Sequence, residues 1–210
     1  MTTFSRRAFV TAATATLLAG CGSGGTGLRT STAGRTPRPP SPASPGASAH
    51  PGDPARAVAR SVPVRLRIPA IGVDTPVVRL GLAPDGSVRV PPVRAHDPAG
   101  WYEHSPTPGQ VGPSVVLGHV TVGEYGDGVF RRLAELRRGD RAVARLENGT
   151  AVTFEVTAVR TVAKSDFPTE EVYGDVDRPE LRLITCGGPR TGDGYADNVI
   201  VFAARVPAGR

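Results

Sequence analysis

The sequence predicts a mainly β fold, a small closed or nearly closed β-barrel with little helix, behind an unstructured N-terminal tether. Three observations lead there. From Val64 onward, apolar residues recur at alternate positions in short runs, the period of a strand with one buried face. Gly, Pro, Asn and Asp punctuate those runs at close intervals, as turns between short strands require. Only one stretch, GVFRRLAELRRGD, has a helical pattern. With 210 residues the chain can build one domain with a proper core and not two large ones.

The elements follow in order. Residues 1–21, MTTFSRRAFVTAATATLLAGC, begin with a twin arginine, Arg6 and Arg7, and continue into a short apolar run. That run suits an export signal and is too short to span a bilayer comfortably. Ser-Arg-Arg-Ala-Phe resembles a twin-arginine signal, and Leu18-Ala19-Gly20-Cys21 resembles a bacterial lipobox, which would make Cys21 a lipidation site. The alternative is an ordinary secretory signal in which Cys21 is incidental. Residues 22–62 are rich in Gly, Ser, Thr, Ala and Pro, cannot bury enough apolar surface to offset their ordering entropy, and are expected to act as a tether. The folded domain is expected over 63–207.

Within it, VRLRIPAIGVDTPVVRLGL reads as two strands joined by a turn, and SVRVPP as a further extended piece. PSVVLGH is a compact apolar strand ending at His119. GVFRRLAELRRGD reads as one short helix with Phe130, Leu133, Ala134 and Leu136 on one side and Gly139 as its stop. RAVARLENGTAVTFEVTAVRTVA is a hairpin around Asn148-Gly149. LRLITC and NVIVFAARV are two more strands with a Gly-rich loop between them.

A net charge of +6 raises the question of nucleic acid. Seven arginines fall within the first 60 residues (Arg6, Arg7, Arg29, Arg35, Arg38, Arg56 and Arg60), so much of the basicity lies outside the folded part. Interleaved aromatics, zinc spacing and a recognition helix are missing, and no nucleic-acid partner is expected. Glu124, Asp127 and Asp193 lack a liganding spacing, so neither a metal nor another cofactor is expected.

The chemistry centres on cysteine. Beside Cys21 the chain holds one thiol, Cys186, in LRLITCGGPR. If Cys21 is acylated or cleaved away, Cys186 has no disulfide partner in an oxidising compartment. Alternation puts Arg182, Ile184 and Cys186 on one face of their strand, and Gly187-Gly188 is expected to leave open space around the sulfur. A nucleophilic thiol needs an imidazole or cationic neighbour. His96, His104 and His119 are the candidates in the folded region, and His119 stands out. Like Cys186 it closes an apolar strand beside glycine, so neighbouring strands with matching ends would bring the two together.

These residues carry a resemblance. Leu183-Ile184-Thr185-Cys186 is similar to the Thr-Cys signature of bacterial sortases, the cysteine transpeptidases of the Gram-positive surface. Val116-Leu117-Gly118-His119 resembles that family's strand ending in Gly-His. RLRIPAIGVDTPV, AGWYEHSPTPGQVGPSVVLGHV and YADNVIVFAAR follow in the family's order, most like the actinobacterial class F subgroup and less like class E. The resemblance implies an eight-stranded sortase-type barrel with Cys186 as nucleophile, His119 as acid and base, and an arginine nearby. Where the family usually carries that arginine, this chain has Asn198 and Ala196. Arg190 is therefore the leading substitute and Arg182, on the cysteine's face, the runner-up. Trp101 and Tyr195 are candidates for lining a peptide groove, though core or rim packing is the preferred reading of both.

The resemblance further implies an extracytoplasmic enzyme anchored through Cys21 or through its uncleaved N-terminal segment. It would cleave a Leu-Pro-x-Thr-Gly type motif in secreted proteins through a thioester on Cys186. Transfer would go to an amine such as a peptidoglycan precursor or a pilin lysine. Three alternatives stand beside it. One is a hydrolase using the same residues. Another is a non-catalytic or weakly hydrolytic surface lipoprotein that keeps the barrel as a peptide-binding module. The third, an L,D-transpeptidase, would want Ser-His-Gly-Cys around the thiol, where this chain has Leu-Ile-Thr-Cys.

Overall fold

A computed structural model describes residues 58–94, 97–192 and 194–207. The export signal, Cys21, most of the tether, His96 and Asp193 lie outside the described residues. Eight strands close into a barrel: β1 (Pro63–Ile68), β2 (Val73–Leu80), β3 (Ala99–Tyr102), β4 (Gly112–Leu117), β5 (Arg141–Leu146), β6 (Ala151–Ala163), β7 (Pro179–Thr191) and β8 (Gly194–Arg205). Their order around the barrel is β1-β2-β3-β4-β7-β8-β6-β5. β4 and β7 run parallel, as do β2 and β3, and the remaining neighbours run antiparallel.

The alternating pattern does what a closed sheet demands. Leu66, Ile68, Val116, Phe154, Leu181, Leu183, Val199 and Val201 point inward and fill the barrel together with Trp101 and Phe130. The opposite phase of β4, β7 and β8 is apolar too. Val115, Ile184, Ile200 and Phe202 form a second cluster on the outer surface. The β6–β7 connection, which contains the helix α1 (Thr169–Tyr173), covers that cluster through Val172, with Phe167 and Tyr173 packed beside it. These strands are apolar on both faces because both faces are covered.

Four expectations change. Residues 58–62, assigned to the tether, already lie against the barrel: Val58 and Val62 pack on the core, and the Val58 N–H donates to the Gly109 carbonyl at 2.8 Å. GVFRRLAELRRGD forms turns and one 3-10 turn, Leu133–Glu135, rather than an α-helix. Its buried apolar side chains, Phe130, Leu133 and Leu136, repeat every three positions, the period of a 3-10 helix, while Ala134 is exposed. SVRVPP makes only an isolated bridge, Val88 with Leu82. The Gly-rich loop after Cys186 is instead a continuation of β7 and β8 as a ribbon, with Arg190 opposite Tyr195 and Thr191 opposite Gly194. The β3 strand, AGWY, is too short to show a period.

Leu183 is fully buried at the centre of the barrel. Leu183→Ala should lower the unfolding free energy by about 2–5 kcal/mol in a urea titration, whereas Val64→Ala on the exposed side of β1 should stay within about 0.5 kcal/mol.

Candidate active site

The site is set by the register between β4 and β7. Leu117 lies opposite Ile184, and the pairing persists one residue further: the Gly118 N–H donates to the Ile184 carbonyl at 3.1 Å. The Thr185 hydroxyl then donates to the Gly118 carbonyl at 2.8 Å, in a buried position. The residue before His119 is thus tied to the residue before Cys186. One step on, the histidine and the cysteine leave adjacent parallel strands at the same level, and such strands run about 4.8 Å apart.

Cys186 is a free, exposed thiol. It continues the outer phase of Arg182 and Ile184, as the alternation predicts, while Leu181 and Leu183 face the core. The two glycines after it have a different role from the expected one of clearing the sulfur. A Cβ at Gly187 would press on Val199, 2.6 Å away, and one at Gly188 would collide with the Asp197 carboxylate. Gly188 also takes a left-handed φ of 71°. It sits where β7 carries one extra residue against β8, between the Gly187–Asp197 and Arg190–Tyr195 pairs.

His119 is half-buried. Its Nε2 lies 2.7 Å from the Pro91 carbonyl. A carbonyl only accepts, so Nε2 carries the proton in this bond and Nδ1 is the ring atom left for proton exchange. The backbone is held as well, since the His119 carbonyl accepts from Phe130 N–H at 2.9 Å. Close packing of Phe130 on Gly118 leaves no room there for a side chain.

Other expected residues fall elsewhere. Trp101 does not line a groove: it is buried in the barrel interior, with its indole N–H donating to the Pro106 carbonyl at 3.2 Å. Arg182 does lie on the cysteine's face, but it is buried beneath α1. There it ion-pairs with Glu180 at 2.6 Å, donates to the Glu171 carbonyl and stacks 4.7 Å from the Phe202 ring centre. It is a buried, ion-paired cation, 3% exposed, that helps hold the fold together. Arg190 stands beyond the bulge, its guanidinium 5.8 Å from the Tyr195 ring centre. Tyr195 itself is half-buried and its hydroxyl reaches Thr121 Oγ1 at 3.5 Å, just past the histidine. His104 sits in the turn that enters β4, edge-on to Tyr102 at 5.5 Å, at the far end of that strand from His119. Asp127 pairs with Arg131. Among the described residues no group of three or more His, Cys, Asp or Glu is placed to hold a metal ion.

A cavity of about 440 Å³ opens on the same outer face, between Pro113 and Val115 of β4, Tyr102, Tyr173 of α1, and Leu82 and Val88 of the β2–β3 connection, with His104 and Asp175 at its rim. Burial, and after it the neighbouring Tyr102, holds the Tyr173 phenol above its ordinary range. A second cavity, about 450 Å³, lies by Asp74, Asp97 and Asp127 and touches neither β7 nor β8.

The family model for the sortase domain matches residues 66–206, all of the barrel but the first three residues of β1. The chain belongs to the sortase family. Its fold is that of a sortase A lid mutant from Corynebacterium diphtheriae, with 21% identity and a TM-score of 0.54, over 72% of this chain and 74% of that one. Sortase C-1 from Actinomyces oris gives 23% identity and a TM-score of 0.52, over 69% and 73% of the two chains. A second sortase from that organism gives 25% and 0.51, over 70% and 81%. Among curated proteins nothing matches.

The Thr185 hydroxyl is the hinge pin of this sortase's site. Thr185→Val leaves the Gly118 carbonyl without its donor, which should cost about 1–3 kcal/mol in chemical denaturation. An unchanged midpoint would show that the two strand ends are levelled by something else.

Proposed function

We propose that this sortase is a cell-surface cysteine transpeptidase acting on a C-terminal sorting motif of the Leu-Pro-x-Thr-Gly type. The observation that carries the reading is the exposed Cys186 thiol, level with His119 across two hydrogen-bonded parallel strands. The Cys186 thiol gives its proton to Nδ1 of His119 as its sulfur attacks the threonine carbonyl carbon. As the carbon–nitrogen bond to the next residue breaks, His119 passes a proton to the leaving amine, a step that positioned acids accelerate by about 10²- to 10⁴-fold. An incoming amine then attacks the thioester, the carbon–sulfur bond breaks, and the imidazole takes the amine's proton. The Pro91 carbonyl, by holding Nε2–H, orients the ring for both transfers.

The outer face also has the length for such a motif. Val115, Leu117 and His119 share one phase of β4. Four residues of extended chain cover about 13 Å, which takes a peptide from the thiol back to the 440 Å³ cavity. Its apolar walls suit the motif's leading aliphatic side chain. The amine acceptor is of the peptidoglycan or pilin-lysine kind, and water in its place gives hydrolysis. The class F assignment, export by the twin arginine, anchoring at Cys21 and an extracytoplasmic location rest on sequence motifs alone.

A non-catalytic peptide-binding role is the second reading, favoured by the commitment of Arg182 to the fold. One experiment separates the two. The full chain is incubated with a pool of sorting-motif peptides and an amine, and the products are read by mass spectrometry. Wild type should show cleavage after threonine, an acyl adduct on Cys186 and ligated product, and Cys186→Ala and His119→Ala should show none of these. Peptide binding without any adduct would leave the binding module standing instead.

A further inference from the structure

We propose that the carboxamide N–H of Asn198 binds the oxyanion formed when Cys186 attacks its substrate, taking the place of a cation. This rests on the acyl-transfer reading above. Asn198 on β8 lies directly opposite Cys186 on β7 in an antiparallel pair. Such residues project from the same face, with their Cβ atoms about 4.5–5.5 Å apart. The oxyanion grows on the carbon bonded to the cysteine sulfur, so a donor on the residue opposite is in reach of it. Asn198 is half-buried, and its carboxamide forms no hydrogen bond among the described residues. A half-shielded amide whose N–H groups meet no acceptor among the described residues, beside a free thiol, has the make-up of a preorganised donor.

Two of the neighbouring cations are tied into ion pairs. Arg182 is held by Glu180, Glu171 and Phe202. Arg160, opposite Ile200, pairs with Glu171 at 2.7 Å and lies 4.9 Å from the Phe202 ring centre. Arg190 pairs with Tyr195, which is three residues from Asn198 along β8 and therefore in the opposite phase of the ribbon. Ala196 shares the phase of Asn198 and has no donor, and Asp197 is an anion packed against Gly188. Asn198 is left as the side-chain donor that β8 offers on the thiol's face. A neutral N–H makes a hydrogen bond roughly half as strong as a charged one, so this site trades strength for a donor with no charge to desolvate.

The test compares wild type, Asn198→Ala, the similarly shaped Asn198→Leu, and Arg190→Ala in single-turnover thioacylation by a pool of Leu-Pro-x-Thr-Gly peptides. Alkylation of Cys186 by iodoacetamide, which passes through no oxyanion, is measured in parallel. Both Asn198 variants should acylate about 10²- to 10³-fold more slowly than wild type, with alkylation unchanged and Arg190→Ala close to wild type. The proposal is overturned if either Asn198 variant acylates at the wild-type rate, if alkylation falls in step with acylation, or if Arg190→Ala shows the large loss. A wild type that acylates with no peptide would instead fell the acyl-transfer reading and this proposal with it.

Discussion

Two hydrogen bonds between β4 and β7 set the geometry on which everything functional in this barrel depends. One runs from the Gly118 N–H to the Ile184 carbonyl and the other from the Thr185 hydroxyl to the Gly118 carbonyl. The first extends the parallel ladder beyond the last paired residues. The second closes it with a side chain where the backbone ladder ends. Together they bring two strand termini, far apart along the chain, to one level, so that a histidine and a cysteine leave the sheet side by side. Gly118 is required there because Phe130, packed beneath it, would meet any Cβ.

The same strands build the surface along which a substrate can lie. β4, β7 and β8 turn one apolar face into the barrel and another outward, where the β6–β7 connection covers part of it. The uncovered remainder includes the cavity beside Val115. Arg182 and Glu180 sit under this layer as a buried ion pair, satisfied partly by the Glu171 carbonyl and the Phe202 ring. Their charge is consumed in fixing the wall of the groove.

Much of this was legible in the sequence, and the boundary of what was legible is physical. Alternation exposed the inward phase of β7 and β8, and the matched endings Gly-His and Thr-Cys pointed to a shared site. Asn148-Gly149 marked the β5–β6 hairpin. The Phe130, Leu133 and Leu136 spacing was read as a helix of period 3.6, although a repeat of three is the mark of a tighter turn. Whether Trp101 lined a groove or packed in the core stayed open because an aromatic's burial depends on partners distant in sequence, here the barrel interior built by Leu181, Leu183 and Val201. Arg190 and Arg182 were chosen for their charge. Only the β7–β8 register, with its bulge at Gly188, could show that one stands beyond the bulge against Tyr195 and the other is buried in an ion pair with Glu180. Asn198 drew notice as a departure from the family pattern. What makes it a candidate donor is its pairing with Cys186, a fact of topology.

The central claim is that the sulfur of Cys186 and the ring of His119 share one site, and a thiol-to-imidazole cross-link tests it most directly. The protein is treated with one equivalent of 1,3-dibromoacetone, which alkylates a thiol first and then a ring nitrogen within reach of its three-carbon bridge. Peptide mapping by mass spectrometry follows. The account predicts one bridged species joining the peptides of Cys186 and His119, lost in His119→Ala. A singly alkylated Cys186 with no bridge, or a bridge to another residue, would contradict it.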